Sequence, residues 1–340
     1  MLFIEGYYIL HRTLAIPLHR AVLLGEPVLL QGPRGAGKTT LVQREFPAHT
    51  YVTLDNAIDR SRARSDPRGF LAKLRGSTVI DDFHRAPELL PHLEEPRPLI
   101  LVSCRRLAVP FETFALYPPT QAEREARQPL SLEILGRFAA SAPAAFSAPL
   151  PDERSWIERD VRELIQVRDL DRFELFLGVA ESRSGAVLDM QAIANECGLS
   201  HRTVERWVGV LDACFQTMRL PASSLDFNRR LIRSPKLHFL NSESFESRAV
   251  SEIYRNARHS GLAPDLSYWR DSNGFEIPLI IQTGVAPPMP VMIVAEPNPT
   301  DVAKLNRWME LAEVRQGAII AQRAGKLPRK GIVSYSIGQL

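Results

Sequence analysis

The chain has 340 residues, 45% of them hydrophobic and 24% charged, with a formal net charge of +3. That length implies two or three domains rather than one small core, and the balance is that of an ordinary soluble globular protein. A net charge so small does not force a nucleic-acid partner, so any basic surface must be local.

Cys104, Cys197 and Cys214 are the three cysteines. They form no CxxC pair and no Cys/His ligand spacing, which argues against a zinc site. Their small odd number argues against a disulfide framework and fits a reducing compartment. Met1 to Leu10 carries Glu5 and no basic residue, unlike a secretory signal. The most apolar stretch, Ile277 to Ala295, is broken by Gln282, Thr283 and four prolines, which is too interrupted to span a bilayer. These features together suggest a cytoplasmic protein.

In chain order, residues 12–24 read as an amphipathic helix and Pro27–Gln31 as a short apolar strand. The run Gly32, Pro33, Arg34, Gly35, Ala36, Gly37, Lys38, Thr39, Thr40 follows, then a helix to about Phe46. This run matches G-x-x-x-x-G-K-[ST] with a strand before it and a helix after it, the context a phosphate-binding P-loop requires. Its glycines let backbone N–H groups turn inward around phosphate oxygens, and the helix start adds its positive end. Lys38 is expected on the β- and γ-phosphates and the Thr39 hydroxyl on Mg²⁺.

Tyr51–Leu54 reads as a second strand. Arg60–Leu74 reads as a helix broken at Asp66-Pro67, with Asp66 capping the second piece. Thr78–Ile80 is a third strand, ending in Asp81 and Asp82. Asp81 is expected beside Thr39, holding a Mg²⁺-bound water, and Asp82 is the candidate base for the attacking water. Asp82 is one methylene shorter than the usual Glu; on their own, the two acids would also suit a helix cap or the surface. Leu99–Ser103 is a fourth strand, expected to bring Ser103 or Cys104 between the P-loop and Asp81, where polar groups sense the γ-phosphate; a buried structural residue fits equally. Thr113–Tyr117 is a fifth. Strands separated by helical segments imply a parallel sheet.

Residues 118–152 are rich in Pro and Ala, and 126–155 read as a lid or linker between a P-loop domain (1–125) and a helical domain (156–229). Within the latter, Gln191–Val208 has the pattern of a helix-turn-helix. Gly198 suits the left-handed turn and Ser200 the cap, leaving His201, Arg202, Glu205 and Arg206 on the exposed side. That face suits a DNA groove or a packing surface that touches no DNA; Glu205 weakens the first. Arg229, Arg230, Arg233 and Lys236 suggest a second basic patch on a solvated loop. Residues 230–340 return to mixed α/β, with strands near 236–240, 266–270, 275–281, 290–295, 316–321 and 332–336 and helices near 245–258 and 300–313.

Taken in order, GPRGAGKTT, YVTLDN (51–56), the run from Asp59 to Leu71, VIDDFHRAPELL (79–90), ALYPPTQAE (115–123), WIERDV (156–161), LSHRTVERWVGVL (199–211), KLHFLN (236–241) and YWRDSNGFEI (268–277) resemble a bacterial and archaeal family of AAA-type P-loop ATPases. That family carries a helix-turn-helix segment and a C-terminal domain of unknown function. No N-K-x-D run or other base-reading motif separates ATP from GTP; the resemblance alone implies ATP, with Mg²⁺ as its companion. It also implies a winged-helix-like middle domain and a restriction-nuclease-like C-terminal fold. The departures are specific. The family has Glu and Gln where this chain has Asp82 and His84, and Thr-Gly-Ser where it has Val102, Ser103 and Cys104. It has a Gly-Arg pair that leaves Arg105 or Arg106 as the available substitutes here. In the C-terminal domain Glu246, Glu252 and Glu276 match family acids, but the next acid falls at Pro278 and no Lys follows near Glu296. A nuclease-like scaffold without nuclease chemistry is expected, with Glu276 paired to Arg270. The sequence thus implies an ATP/Mg²⁺-binding ATPase, with a non-hydrolysing regulatory module or a DNA-binding regulator as the alternatives, and leaves a protein partner and the oligomeric state open.

Overall fold

The computed structural model describes the backbone of residues 3–4 and 7–8 and residues 10–93, 98–126, 170–323 and 331–340. The linker and lid expected over 126–155, and the start of the helical segment at 156–169, lie outside the described residues save for Ala126.

After a two-residue antiparallel pair, β1 (Phe3–Ile4) with β2 (Tyr7–Tyr8), the first unit is built on a five-stranded sheet. Its strands are β3 (Val28–Gln31), β4 (Thr50–Thr53), β5 (Thr78–Asp81), β6 (Leu99–Ser103) and β7 (Thr113–Ala115). They lie in the order β4-β5-β6-β3-β7 and every pairing is parallel. Because β3, β5 and β6 are buried along their whole length, they read as unbroken apolar runs rather than alternating ones. Helices α1 (Ala15–Val22), α2 (Lys38–Glu45), α3 (Ala57–Ser65) and α4 (Pro67–Lys73) accompany the sheet. Asn56 caps α3 through the Ile58 and Asp59 N–H groups, and Asp66 caps α4 through Gly69 N–H, with Pro67 in the first turn. The first helix is shorter than the periodicity suggests. Leu23 and Leu24 are exposed and Arg12 is drawn into a buried network instead.

α5 (Gln121–Arg124) closes this unit with a capping box between Thr120 and Glu123. Beyond it, α6 (Leu170–Ser182), α7 (Met190–Cys197) and α8 (His201–Ala213) share an apolar core of Phe173, Phe176, Ile193, Val204, Trp207 and Leu211. Gly198 ends α7 in the left-handed region at φ 63° and Ser200 caps α8, as the helix-turn-helix pattern predicts. Strands β8 (Thr217–Leu220) and β9 (Lys236–Phe239) form an antiparallel pair beside these helices. β9, read from sequence as the start of the C-terminal unit, thus pairs with the helical one.

The last unit is a five-stranded sheet, β10 (Asp265–Arg270), β11 (Glu276–Gln282), β12 (Met289–Ile293), β13 (Gly317–Ala321) and β14 (Ile332–Ser336), in chain order. The first two pairings are antiparallel and the last two parallel. Successive residues point to opposite faces of a strand, and each face has its own helix. α9 (Phe245–His259) packs Ala249, Val250 and Ile253 against Leu279, Ile281, Val291 and Ile320. α10 (Pro299–Leu311) packs Val302, Leu305 and Trp308 against Ile277, Ile280, Met292 and Ile319.

Candidate functional site

The P-loop spans the turn between β3 and α2. Gly32 (φ 156°), Gly35 (φ 75°) and Gly37 (φ 85°) all adopt positive φ. Gly35 and Gly37 sit in the left-handed region that side chains avoid. Gly32 is required for a second reason: a Cβ there would lie 1.8 Å from the Leu116 carbonyl oxygen. The chain therefore turns tightly just before the start of α2, the geometry in which a glycine loop and a helix N-terminus suit an anion. Pro33 and Ala36 are buried, Arg34 is half-buried, and Gly35, Thr39 and Thr40 are exposed on the open side.

Lys38 is only 8% exposed. Its ammonium donates to the carbonyl oxygens of Gly32 (2.8 Å) and Pro33 (2.7 Å). Burial pushes its pKa down to about 8, against the opposing pull of Cys104 and Asp81. An ammonium held inside the loop by two neutral carbonyls is an arrangement that suits an anionic oxygen.

The expected partnership across the sheet is present. Thr39 Oγ1 donates to Asp81 Oδ2 at 2.7 Å. Tyr51 OH donates to the same oxygen at 2.6 Å, while Asp82 N–H donates to Asp81 Oδ1 at 2.8 Å. β4 and β5 are in register with Thr53 opposite Asp81, which carries Tyr51 to within reach of the carboxylate. Burial, then the bond to Asp81, raises the Tyr51 pKa, so its hydroxyl stays a donor. Tyr51 is a site residue that motif reasoning passed over; it stood only as part of YVTLDN. A hydroxyl and a carboxylate fixed against one another are hard oxygen donors of the kind Mg²⁺ takes.

Asp82 is half-buried with φ 55°. Burial, then the Asp81 charge, raises its pKa. β6 lies between β3 and β5, and so brings Ser103 and Cys104 beside the site as anticipated. Ser103 Oγ donates to Arg105 O at 2.7 Å, a local structural bond. Cys104 Sγ lies 3.3 Å from His84 Nε2. His84 is 7% exposed; burial, then the charges of Arg105, Arg34, Arg85 and Lys38, drives its pKa down to about 3. Four cations thus surround this corner against Asp81 and Asp82, an electrostatic bias toward a polyphosphate.

Of the two arginines suggested as substitutes for the missing Gly-Arg pair, Arg105 is close enough for its charge to lower the His84 pKa, while Arg106 is engaged elsewhere. Arg106 donates to Asp212 O (2.8 Å) and Tyr117 OH (3.3 Å) and stacks over Phe215 at 4.3 Å. It fastens the P-loop unit to the end of α8.

A second buried network joins the P-loop to α9. Arg12 donates to Ala36 O in the loop (2.7 Å), to Tyr117 O (2.6 Å) and to Glu123 Oε2 (3.3 Å). Glu123 also accepts from Thr13 N–H (2.8 Å), Thr120 N–H (3.1 Å) and His259 Nδ1 (3.1 Å). The Tyr117 N–H donates to His259 Nε2 at 2.9 Å. That acceptor role makes His259 a neutral imidazole with its proton on Nδ1, in line with a pKa lowered by burial. Burial opposes ionisation of Glu123, but its donors and the Arg12 charge outweigh it and hold the carboxyl at about 2.

On α8, His201, Arg202, Glu205 and Arg206 are exposed together, as expected. The second basic patch is corrected in part: Arg230 and Arg233 are exposed as expected, but Lys236 and Arg229 are not free on a solvated loop. Lys236 is 2% exposed and pairs with both Glu246 (2.7 Å) and Glu276. Arg229 pairs with Asp271 at 2.7 Å, packed near the Phe275 ring. Glu276 also takes Arg270 at 3.2 Å, the pairing the sequence suggested. Glu252 accepts from Gln121 N–H, another tie between units.

Residues 25–97 match the family described as AAA domain, and residues 153–242 match a domain of unknown function, DUF8612. The AAA match supports an AAA-type P-loop domain, and with it nucleotide binding. The chain is similar to an uncharacterized protein of Mycobacterium bovis and to one of Mycobacterium tuberculosis. Each is 26% identical over 324 residues, covering 81% of this chain and 72% of the relative. Among the described residues, no helix is long and apolar enough to cross a membrane.

Proposed function

We propose that this protein is an AAA-type ATPase that binds ATP with Mg²⁺ and passes its nucleotide state to the helix-turn-helix and C-terminal units. The observation that carries the reading is the Lys38 ammonium inside a glycine turn, next to a Thr39–Asp81–Tyr51 cluster of hard oxygen donors. The N–H groups of Gly35, Gly37, Lys38 and Thr39 would cradle the phosphates, Lys38 exchanges its carbonyl partners for phosphate oxygens, and Thr39 and Asp81 would hold the metal ion, which supplies charge neutralisation when bound. Asp82 orients the attacking water; its raised pKa makes it a better proton acceptor than an ordinary surface carboxylate.

Coupling rests on the Arg12 network. One guanidinium touches the P-loop carbonyl of Ala36 and the carboxylate that receives His259 from α9. A change of the loop on phosphate binding alters what α9 packs against. The C-terminal unit serves as a nuclease-like scaffold without nuclease chemistry, because Lys236 neutralises the acids Glu246 and Glu276 from within. The exposed face of α8 is the surface offered to duplex DNA or to a protein partner.

Calorimetry with ATP, ADP and GTP in the presence of Mg²⁺ tests binding, and steady-state phosphate release against a Lys38→Ala control tests turnover. No heat from any of the three nucleotides overturns the proposal. Heat from ATP without release above the control supports the second reading, a non-hydrolysing module shaped by nucleotide. The commitment of Arg106 to the interface, which leaves it away from the loop, is the observation behind that second reading.

A further inference from the structure

We propose that Asp82, His84 and Cys104 form a binding site for a thiophilic divalent cation such as Zn²⁺, beside the P-loop and distinct from the Mg²⁺ position. Among the described residues these three are the group in which one carboxylate oxygen, one imidazole nitrogen and one sulfur all lie within 4.8 Å of one another. No sequence spacing announces it. Asp82 and His84 come from the turn after β5, and Cys104 from the end of β6, the next strand of the sheet.

The geometry matches the need of a four-coordinate ion. Bonds of about 2.05 Å to nitrogen and about 2.3 Å to sulfur at a tetrahedral angle set the two donors about 3.5 Å apart. Cys104 Sγ and His84 Nε2 are 3.3 Å apart, so one edge of the polyhedron is already formed. The Asp82 carboxylate completes a third vertex by a side-chain rotation, and the fourth stays open to water or a phosphate oxygen. Cys104 and His84 are 3% and 7% exposed, so both are held by packing. On binding, the Cys104 thiol gives its proton to solvent and the thiolate bonds to the metal.

The donor set selects the ion. Mg²⁺ takes oxygen ligands in an octahedron, which Thr39 Oγ1 and Asp81 suit; a sulfur and an imidazole favour zinc or its neighbours. The guanidinium groups around His84 oppose an added cation. Two negative ligands in direct contact, the thiolate and Asp82, act at about 2 Å and outweigh charges farther away. The site stands on these three side chains alone. Its consequence for turnover rests on the nucleotide reading: a metal on Asp82 removes the group that orients water, so zinc acts as a brake.

Cobalt(II) chloride is the probe, added to the purified full-length chain without nucleotide. One equivalent is expected to give the strong visible bands of a four-coordinate ion and a near-ultraviolet thiolate-to-cobalt band. Zinc chloride should bleach both, and a tenfold excess of Mg²⁺ should bleach neither. Cys104→Ser should lose the near-ultraviolet band, and His84→Gln should weaken binding at least tenfold, with circular dichroism confirming that each variant is folded. The proposal is overturned by the weak spectrum of a six-coordinate ion. It is equally overturned by a thiolate band that survives Cys104→Ser, which would assign the sulfur to Cys197 or Cys214. Should Cys104→Ser not fold, unchanged affinity in His84→Gln is enough to reject the site. None of these readouts depends on ATP binding, so the two proposals fail separately.

Discussion

Replacing Glu123 with Gln removes one charge from the junction between the P-loop and α9 and keeps the side-chain shape. The cost follows from which oxygen accepts what. Oε2 takes Arg12 Nε, Thr120 N–H and His259 Nδ1, and Oε1 takes Thr13 N–H. Whichever way the amide is set, its NH₂ faces at least one donor, and Arg12 loses its carboxylate. The Glu123 side chain is 2% exposed and that of Arg12 is 6% exposed, so screening by water is slight. Breaking a buried pair of this kind costs about 3–5 kcal/mol. The lowered pKa of the Glu123 carboxyl has the same sign.

The sign is fixed by that depression. The contribution is full above the unfolded value and is lost as pH falls from about 4.5 through about 2. His259, held neutral by burial, adds a loss of the same direction that begins once its unfolded form protonates near 6.5; Arg255 and Arg12 add to that burial effect and Glu123 opposes it. Urea titrations of the full chain at pH 7, 5, 4 and 3, followed by far-ultraviolet dichroism and tryptophan fluorescence, measure the difference between wild type and Glu123→Gln. Trp207, Trp269 and Trp308 all lie beyond the junction, so fluorescence reports the units it fastens. The expected gap is about 3 kcal/mol at pH 7 and narrows steadily below pH 4.5. A gap under about 1 kcal/mol at neutrality, or one that does not change with pH, would refute the assigned role of Glu123.

Lys38→Ala is expected to weaken ATP binding at least tenfold in calorimetry while leaving the fold intact, since its two partners are loop carbonyls that water can reach once the side chain is gone. Gly32→Ala drives a Cβ into the Leu116 carbonyl and should lower thermal stability and abolish ATP binding together; a folded variant with normal affinity contradicts the packing described. Tyr51→Phe leaves Asp81 with one donor fewer on Oδ2 and should weaken the Mg²⁺ dependence of ATP binding about tenfold, measured as the ratio of affinities with and without the ion. If α8 contacts DNA, Arg202→Ala and Arg206→Ala should each flatten the dependence of affinity on salt by about one ion; identical slopes in anisotropy titrations exclude phosphate contacts from that face.

The parts of the site that were legible in the sequence are those set by local geometry. A glycine turn before a helix, and an apolar strand ending in an acid, need no distant partner to be recognised. The same holds for Gly198 and Ser200, and for Asp66 before Pro67, where φ or a cap determines the residue type. What escaped notice depends on pairs far apart in the chain. Arg12 and Glu123 are separated by 111 positions, and Glu123 and His259 by 136. Lys236 looked like a member of a basic loop because its neighbours are Arg-rich. Only the pairing of β9 with β8, with α9 and β11 alongside, shows that it is enclosed by Glu246 and Glu276. Tyr51 likewise gained meaning only from the register that sets β4 beside β5.

The contact between Gly32 and the Leu116 carbonyl is made by main chain on both sides. The Leu116 N–H also donates to Gln31 O at 2.8 Å, so main-chain groups on both sides hold the seam. The glycine loop and the segment that runs on to Tyr117 are therefore joined backbone to backbone, so a shift of one is felt directly by the other.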